Sequence, residues 1–237
     1  MDEPGNTAVL DIDRSAVPVI AIDGPSGSGK GTIARAVAEK LGFNFLDSGA
    51  LYRVVALASI NTRTAADDSS GLALLASTAP IDFAHSDNGD VAVLLGGQDV
   101  TQQLRAEEVG NCASKIATHP ELRDALLDRQ RRWRQLPGLV ADGRDMGTVV
   151  FPDALIKIFL TASAEIRAKR RVKQLKEKGI SANISGLLSD IQARDKRDYN
   201  RAIAPLKAAA DSIQIDSTSL SVAQVVTKVL DLASVRL

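Results

Sequence analysis

Short apolar runs punctuate this chain, separated by longer stretches in which apolar residues return every third or fourth position. The runs lie at Val19 to Ile22, Phe43 to Leu46, Leu139 to Asp142, Leu155 to Leu160 and Ile213 to Asp216. Most of their positions are apolar, as expected of strands buried in a parallel sheet. Between the first two, a helix is predicted from about Gly29 to Leu41. Ile33, Val37 and Leu41 form its inner stripe and Gly42 its stop. A second helix is predicted to start near Asp47-Ser48-Gly49 and to carry Tyr52 and Arg53. Ser163 can cap a helix that ends at Gly179, and a further helix spans about Ile184 to Arg201, stopping before Pro205. Ser221 and Gln224 form a capping box for the last helix. Strands alternating with helices imply an α/β chain with a parallel sheet covered on both sides.

The middle of the chain departs from that rhythm. Asn61 to Ser70 reads as polar loop, and Gly71 to Pro137 as an insertion. Within it, Ile81 to Ala84 and Val91 to Leu95 suggest a hairpin around Asp87-Asn88-Gly89-Asp90. Helices follow at Glu107 to Thr118 and Glu121 to Gln135. This insertion is expected to sit over the site described next.

Val19 to Thr32 reads VIAIDGPSGSGKGT. A buried strand delivers the chain to small residues that can expose successive backbone N–H groups, and a helix then opens with its positive dipole end at the same spot. Lys30 adds a full charge on a long stem. The G-x-x-x-x-G-K core, Gly24 to Lys30, is a polyphosphate cradle that points to a nucleoside triphosphate. The hydroxyl comes one place late, at Thr32, because Gly31 follows the lysine.

Composition narrows the partners. Lys+Arg and Asp+Glu each number 29, so no net field draws the chain to nucleic acid, and 3% aromatics leave little for stacking bases. Cys112 is the single cysteine, which excludes an internal disulfide and reads as a small buried hydrophobe. No apolar run is long enough to span a bilayer, and Met1 to Val17 is an acidic, flexible extension rather than a signal peptide. A soluble cytoplasmic protein is the expectation.

Asp142 closes a buried strand, where a P-loop enzyme places the carboxylate that meets nucleotide magnesium. With no cluster for an all-protein cage, a contact through water is expected; an ordinary turn aspartate is the alternative. Eighteen of the 29 basic residues are arginine, whose planar fork suits phosphate. Arg53 and Arg144 follow strand ends. Arg194, Asp198 and Arg201 share a helix face, as a phosphate-facing trio or as a surface ion-pair ladder. Arg131, Arg132 and Arg134 read as a solvated helix face. His85 and His119 read as surface residues, so a general base is lacking. A phosphate acceptor removes the need for one, since its second pKa is about 6. An alcohol acceptor would need a carboxylate, for which Asp47 and Asp145 are available.

Four segments, IDGPSGSGKGT at Ile22 to Thr32, LDSGALYR at Leu46 to Arg53, ADGRDMGTVVFPDA at Ala141 to Ala154 and RDKRDYNRAIAPL at Arg194 to Leu206, occur in order. Together they resemble the bacterial cytidylate kinases, nucleoside monophosphate kinases that phosphorylate CMP and dCMP. The G-K-G-T ending is the form of that family. The resemblance implies a three-layer P-loop fold with about five parallel strands over residues 18–237. It places an inserted CMP-binding region near 61–137 and a short helical lid near 165–182. It implies that Gly24, Pro25, Ser26, Gly27, Ser28, Gly29, Lys30, Gly31 and Thr32, with Arg170 of the lid, hold ATP. Arg53 and Arg144 would grip the CMP phosphate. Ser48, Ser114, Arg123 and Asp145 match the cytosine pocket, and Arg194, Asp198 and Arg201 the residues near the sugar and phosphates. Lys30, Arg53, Arg144 and Arg201 would carry the in-line transfer, with Mg²⁺ beside Asp142 and a monomeric protein. A P-loop kinase of a small alcohol and an ATP-gated adaptor are the competing readings.

Overall fold

The computed structural model describes residues 14–85, 91–177, 181 and 183–237. Five parallel strands build the central sheet: β1 (Val19–Asp23), β2 (Asn44–Asp47), β6 (Leu139–Gly143), β7 (Ile156–Thr161) and β8 (Ile213–Asp216), in the order β2-β6-β1-β7-β8. Successive residues of β1 serve opposite faces. Val19 and Ala21 join one core with Leu139 and Ala141, whereas Ile20 and Ile22 join the other with Val140, Ile156 and Ile158. All five β1 residues are buried, which explains why the run is continuously apolar until Asp23. On the second face lie α1 (Lys30–Leu41) and α8 (Val222–Ser234). Gly42 ends α1 in the left-handed conformation, and the Ser221–Gln224 capping box opens α8.

The first face carries α2 (Ser48–Thr62) and the insertion. The insertion contains α3 (Ser69–Thr78), a three-stranded antiparallel sheet of β3 (Ile81–His85), β4 (Val91–Leu95) and β5 (Gln98–Asp99), then α4 (Glu107–Ile116) and α5 (Pro120–Arg131). The hairpin pairing of β3 with β4 is present; its turn, 87–90, lies outside the described residues. The expected loop at Asn61 to Ser70 is corrected. The second helix continues through Thr62, and Ser69 already opens α3. The polar run before α3 is its cap: the Asp68 carboxylate accepts from Gly71 N at 2.8 Å, and only Leu72 and Ala76 of that helix are buried.

Arg134 is also corrected. It is buried, donating to the carbonyls of Ser15 at 2.7 Å and Val17 at 2.9 Å and to Asp153 at 2.6 Å, because α5 ends at Arg131 and turns it inward. These bonds hold 15–17, the end of the extension; Met1 to Asp13 lie outside the described residues. Cys112 is partly buried, packed against the first core, with its thiol 3.8 Å from the Ser59 hydroxyl. Two helices, α6 (Ala164–Glu177) and α7 (Ile184–Asn200), pack on each other beside the carboxyl ends of the strands. The stop expected at Gly179 lies outside the described residues.

Candidate active site

The loop between β1 and α1 is held in a shape that small residues permit. At Gly24, φ is +155° and a Cβ would lie 2.0 Å from the Leu160 carbonyl oxygen, so strand β7 itself enforces glycine. Gly29 occupies the N-cap of α1 with φ +96° and no side-chain cap, which leaves the first N–H groups of the helix pointing into the cleft. Ser28 is fully buried and its hydroxyl has no hydrogen-bond partner. Gly27 to Ile33 line one cleft together with Arg170, Lys173 and Ser217. Arg170 is fixed there, donating to the carbonyl of Ser28 at 3.1 Å and that of Ser217 at 2.6 Å.

Lys30 is buried, with Nζ 3.2 Å from the Pro25 carbonyl oxygen and 3.9 Å from Asp142 Oδ1. Burial pushes this ammonium well below the usual lysine range, and Arg144 pushes further in the same direction. Burial pushes the Asp142 carboxyl up, against the pull of Lys30. Asp142 Oδ1 accepts no hydrogen bond. A Cβ at Gly31 would lie 3.0 Å from Asp142 Oδ2, so glycine after the lysine keeps that carboxylate uncrowded, while Thr32 is exposed. Among the described residues no group of three His, Cys, Asp or Glu side chains could hold a metal alone. A buried carboxylate oxygen without a partner, beside a phosphate cradle, suits water-mediated contact with a nucleotide-bound Mg²⁺.

A second cleft opens from the carboxyl end of β6. Eight of the nine residues matched to the acceptor line it: Ser48, Ser114, Arg123, Arg144, Asp145, Arg194, Asp198 and Arg201. Arg53 stands at its edge, donating to the Leu104 carbonyl at 3.0 Å, and lines the neighbouring basic cavity with Ser26, Gly27 and Arg194. The Arg53 and Arg194 guanidinium groups converge over Gly110 of α4, where a Cβ would lie 3.8 Å from one and 3.5 Å from the other. That cavity joins the phosphate loop to the second cleft.

The cleft is a network of paired charges. Arg144 Nε donates to Asp198 at 2.9 Å, and Ser114 donates to the other oxygen of Asp198 at 3.1 Å. Burial opposes the Asp198 charge, but Arg144, Arg194 and Arg201 together hold its carboxyl below the usual range. Arg123 pairs with Asp145 and lies 5.6 Å from the centre of the Tyr52 ring. Burial lowers Arg194 to about 9, with Arg144 adding to the effect. Arg194 Nε and Arg201 Nη2 are buried without hydrogen-bond partners. Arg201 Nη2 has the Asp145 carboxylate near it, at 3.9 Å. Buried donors without a hydrogen bond cost on the order of 1–3 kcal/mol each and more when charged, so two in one cleft suit an anion. The surface-ladder alternative for the trio is excluded by the burial of Asp198 and its partners. Both carboxylates suggested for an alcohol acceptor have a partner: Asp47 Oδ1 caps α2 by accepting from Ala50 N at 3.0 Å, and Asp145 pairs with Arg123. His119 contacts the Ala66 carbonyl oxygen at 2.8 Å, outside the cleft.

Four further side chains contribute, two of them, Asp23 and Arg197, from inside the segments quoted above. Gln130 of α5 accepts from the Ser48 hydroxyl at 2.8 Å, and Arg197 reaches Ser114 at 3.4 Å. Arg167, part of the basic stripe of α6, is buried and donates to the Ser26 carbonyl at 2.9 Å while pairing with Asp195 of α7. Asp23 accepts from the Met146 and Gly147 N–H groups, each at 2.8 Å, and burial pushes its carboxyl up to about 6. Asp23 had a visible signal, an acidic residue ending an otherwise apolar strand; the others depend on which helix faces meet.

Comparison with known proteins agrees with this arrangement. The family model described as cytidylate kinase matches residues 20–235. The cytidylate kinase of Marinomonas sp. (strain MWYL1) is 59% identical over 209 residues, covering 88% of this chain and 92% of that protein. Those of Aeromonas salmonicida (strain A449) and Shigella boydii serotype 4 (strain Sb227) are 56% and 55% identical, each over 220 residues and 93% of this chain, covering 95% and 96% of their own lengths. With a glycine-rich loop opening α1, a second cleft lined by arginines and a match across nearly all of its length, the chain belongs to the cytidylate kinase family.

Proposed function

We propose that this chain transfers the γ-phosphoryl group of ATP to CMP or dCMP, giving ADP and CDP or dCDP. The observation that carries the reading is a pair of buried guanidinium donors that make no hydrogen bond, Arg194 Nε and Arg201 Nη2, in a cleft joined to the phosphate loop; Arg201 Nη2 lies 3.9 Å from Asp145 Oδ1. An adaptor that only bound ATP would gain nothing from a second anion site. The loop from Gly24 to Thr32 cradles the ATP phosphates, with Arg170 at the edge of that cleft. Arg53, Arg144 and Arg201 orient the CMP phosphate in line with the γ-phosphorus. A phosphate oxygen of CMP forms the new P–O bond as the bond to the β,γ-bridging oxygen breaks. CMP is already largely a dianion at neutral pH, so positioning and charge screening suffice and no base is required. Asp142 would hold a nucleotide-bound Mg²⁺ through water, and the ion would supply charge neutralisation of the phosphates.

The base-binding side follows from donor and acceptor counts. Gln130 takes the Ser48 proton, leaving lone pairs on that hydroxyl, and the Asp145 carboxylate offers more. Two acceptors suit the N4 amino group of cytosine, and Arg123 can donate to N3 and O2, joined by Ser114 where its hydroxyl turns from Asp198 to the base. Uracil presents an oxygen where cytosine presents that amino group. The mismatch costs on the order of 1–3 kcal/mol, roughly 5- to 150-fold in kcat/KM.

ADP release measured with a panel of acceptors tests the assignment. CMP and dCMP are expected to lead, UMP to trail by the factor above, and hydroxy acids and sugars to give none. ATP uptake without turnover on any pyrimidine monophosphate would refute it. A second measurement reads Lys30 directly. A polyphosphate beside this buried amine restores its charged form, raising a pKa that burial has lowered. ATP binding at about pH 8, well above the terminal phosphate's second pKa of about 6, is therefore expected to take up protons. Calorimetry in buffers of different ionisation enthalpy gives the sign, and net proton release would contradict it.

A further inference from the structure

The base-binding cleft depends on a side chain that does not enter it. Asp23 ends β1, pairs in register with Gly143 of β6, and immediately precedes the phosphate loop. Its two carboxylate oxygens each take one N–H, Oδ1 from Met146 and Oδ2 from Gly147, both at 2.8 Å. Those amides open a single π-turn, Met146–Val150, whose first carbonyl oxygen is that of Asp145: Val149 and Val150 donate to it at 2.9 and 3.2 Å. Asp145 is thus held by its own carbonyl from one side and by the next two amides from the other. Its backbone, φ −148° and ψ 23°, lies outside the helical and extended basins, so a local device is needed to hold it. Gly143 completes that device. A Cβ there would lie 2.7 Å from Met146 Cγ, and its absence lets the fully buried Met146 fold back under the turn.

Within the proposed function, where Asp145 reads the cytosine amino group, we propose that Asp23 is a positioning residue for base selection, clamping the Met146 and Gly147 amides so that Asp145 faces the base-binding cleft. A buried carboxylate is a costly group to place in a core, and a neutral side chain could not reproduce two charge-assisted bonds to adjacent N–H donors. Bidentate acceptance fixes the orientation of two successive peptide planes, which fixes the direction in which Asp145 leaves the chain. Its neighbour Gly24 begins the phosphate loop, so one residue ties the rim of the base-binding cleft to the start of the donor loop. Asp23 contacts neither cleft directly: it lines neither the donor nor the acceptor pocket.

Asp23→Asn keeps the shape but turns one acceptor into a donor facing an N–H. Asp23→Ser removes the charge and one of the two acceptors. For whichever variant folds, the KM for CMP is expected to rise about 10-fold, with the KM for ATP within about twofold and the CMP-to-UMP ratio of kcat/KM narrowed at least threefold, a loss of one charged hydrogen bond. A merely structural role would lower kcat and the two KM values together and leave base choice intact; that outcome overturns the proposal. Asp145→Ala runs alongside. If it leaves the CMP-to-UMP ratio unchanged, the reading of the cleft fails and the proposal falls with it. If it collapses the ratio while a folded Asp23 variant does not, the proposal alone fails. Amide hydrogen exchange of the unaltered protein needs no variant. Met146 and Gly147 are expected to be protected before CMP is added and unchanged after it. Free exchange until CMP binds would also overturn the clamp.

Discussion

Lys30→Met is expected to lower kcat by about 10²–10³-fold, the range for removing one preorganised donor from a developing anion, while the protein stays nearly as stable. The separation follows from how Lys30 is buried. Methionine has similar length and fills the same space without a charge. Losing the ammonium leaves Asp142 without its 3.9 Å partner, but that carboxyl is already pushed up by burial and can take a proton instead of remaining an uncompensated charge. Replacing a buried ion by an apolar group is often neutral for stability. Urea unfolding is therefore expected to move by no more than about 1 kcal/mol, and the KM for ATP by less than kcat. Lys30→Arg is expected to recover little, because a planar guanidinium cannot occupy the position 3.2 Å from the Pro25 carbonyl that the ammonium fills. Turnover within about threefold of the unaltered protein would take Lys30 out of the phosphate site.

The parts of this molecule that sequence pattern reveals are those where one physical signal dominates. The central strands β1 and β6 are legible because strands buried on both faces are apolar almost throughout, the half-exposed outer strands β2 and β8 less so, and the phosphate loop because strand, glycines, lysine and helix fall in one run. Helix α3 is hidden because only Leu72 and Ala76 are buried, too short a stripe to show a period, and its capping residues resemble a loop. Arg134 is hidden for a different reason. Its carbonyl partners lie 117 and 119 residues away, and neighbouring Arg131 and Arg132 are exposed. The acceptor cleft draws on α2, α4, α5, the end of β6 and α7, so spacing within any one element could not assemble it. Family resemblance pointed to its members; the fold adds the contacts of Gln130, Arg197 and Asp23, the last two present in the motifs without a visible partner. Asp47 marks the limit of residue-type reasoning: a carboxylate available for catalysis on paper is committed to capping α2.

Arg144→Met should damage both binding and folding, and the two effects can be separated. Arg144 is the closest charge to Asp198, at 2.9 Å, and Asp198 is 4% exposed. Breaking a buried pair from one side costs about 3–5 kcal/mol. Ser114 and the nearby Arg194 and Arg201 remain, so about 2–3 kcal/mol is expected here. The pH dependence has a defined sign. The folded pKa of Asp198 is depressed, so its contribution is present above the unfolded value of about 3.9 and is lost as pH falls through the folded one. The variant raises that folded pKa, so its deficit is expected to be largest at neutral pH and to shrink below about pH 4. Adding Asp198→Asn removes the stranded charge and should restore most of the stability. Activity follows a different rule. If the partly buried Arg144 guanidinium holds the CMP phosphate as proposed, its loss is expected to lower kcat/KM for CMP by about 10²–10³-fold, far beyond any fraction unfolded, with the KM for ATP nearly unchanged. An equal loss on ATP and CMP, or a deficit that disappears when stability is restored by added osmolyte, would reduce Arg144 to a structural partner of Asp198.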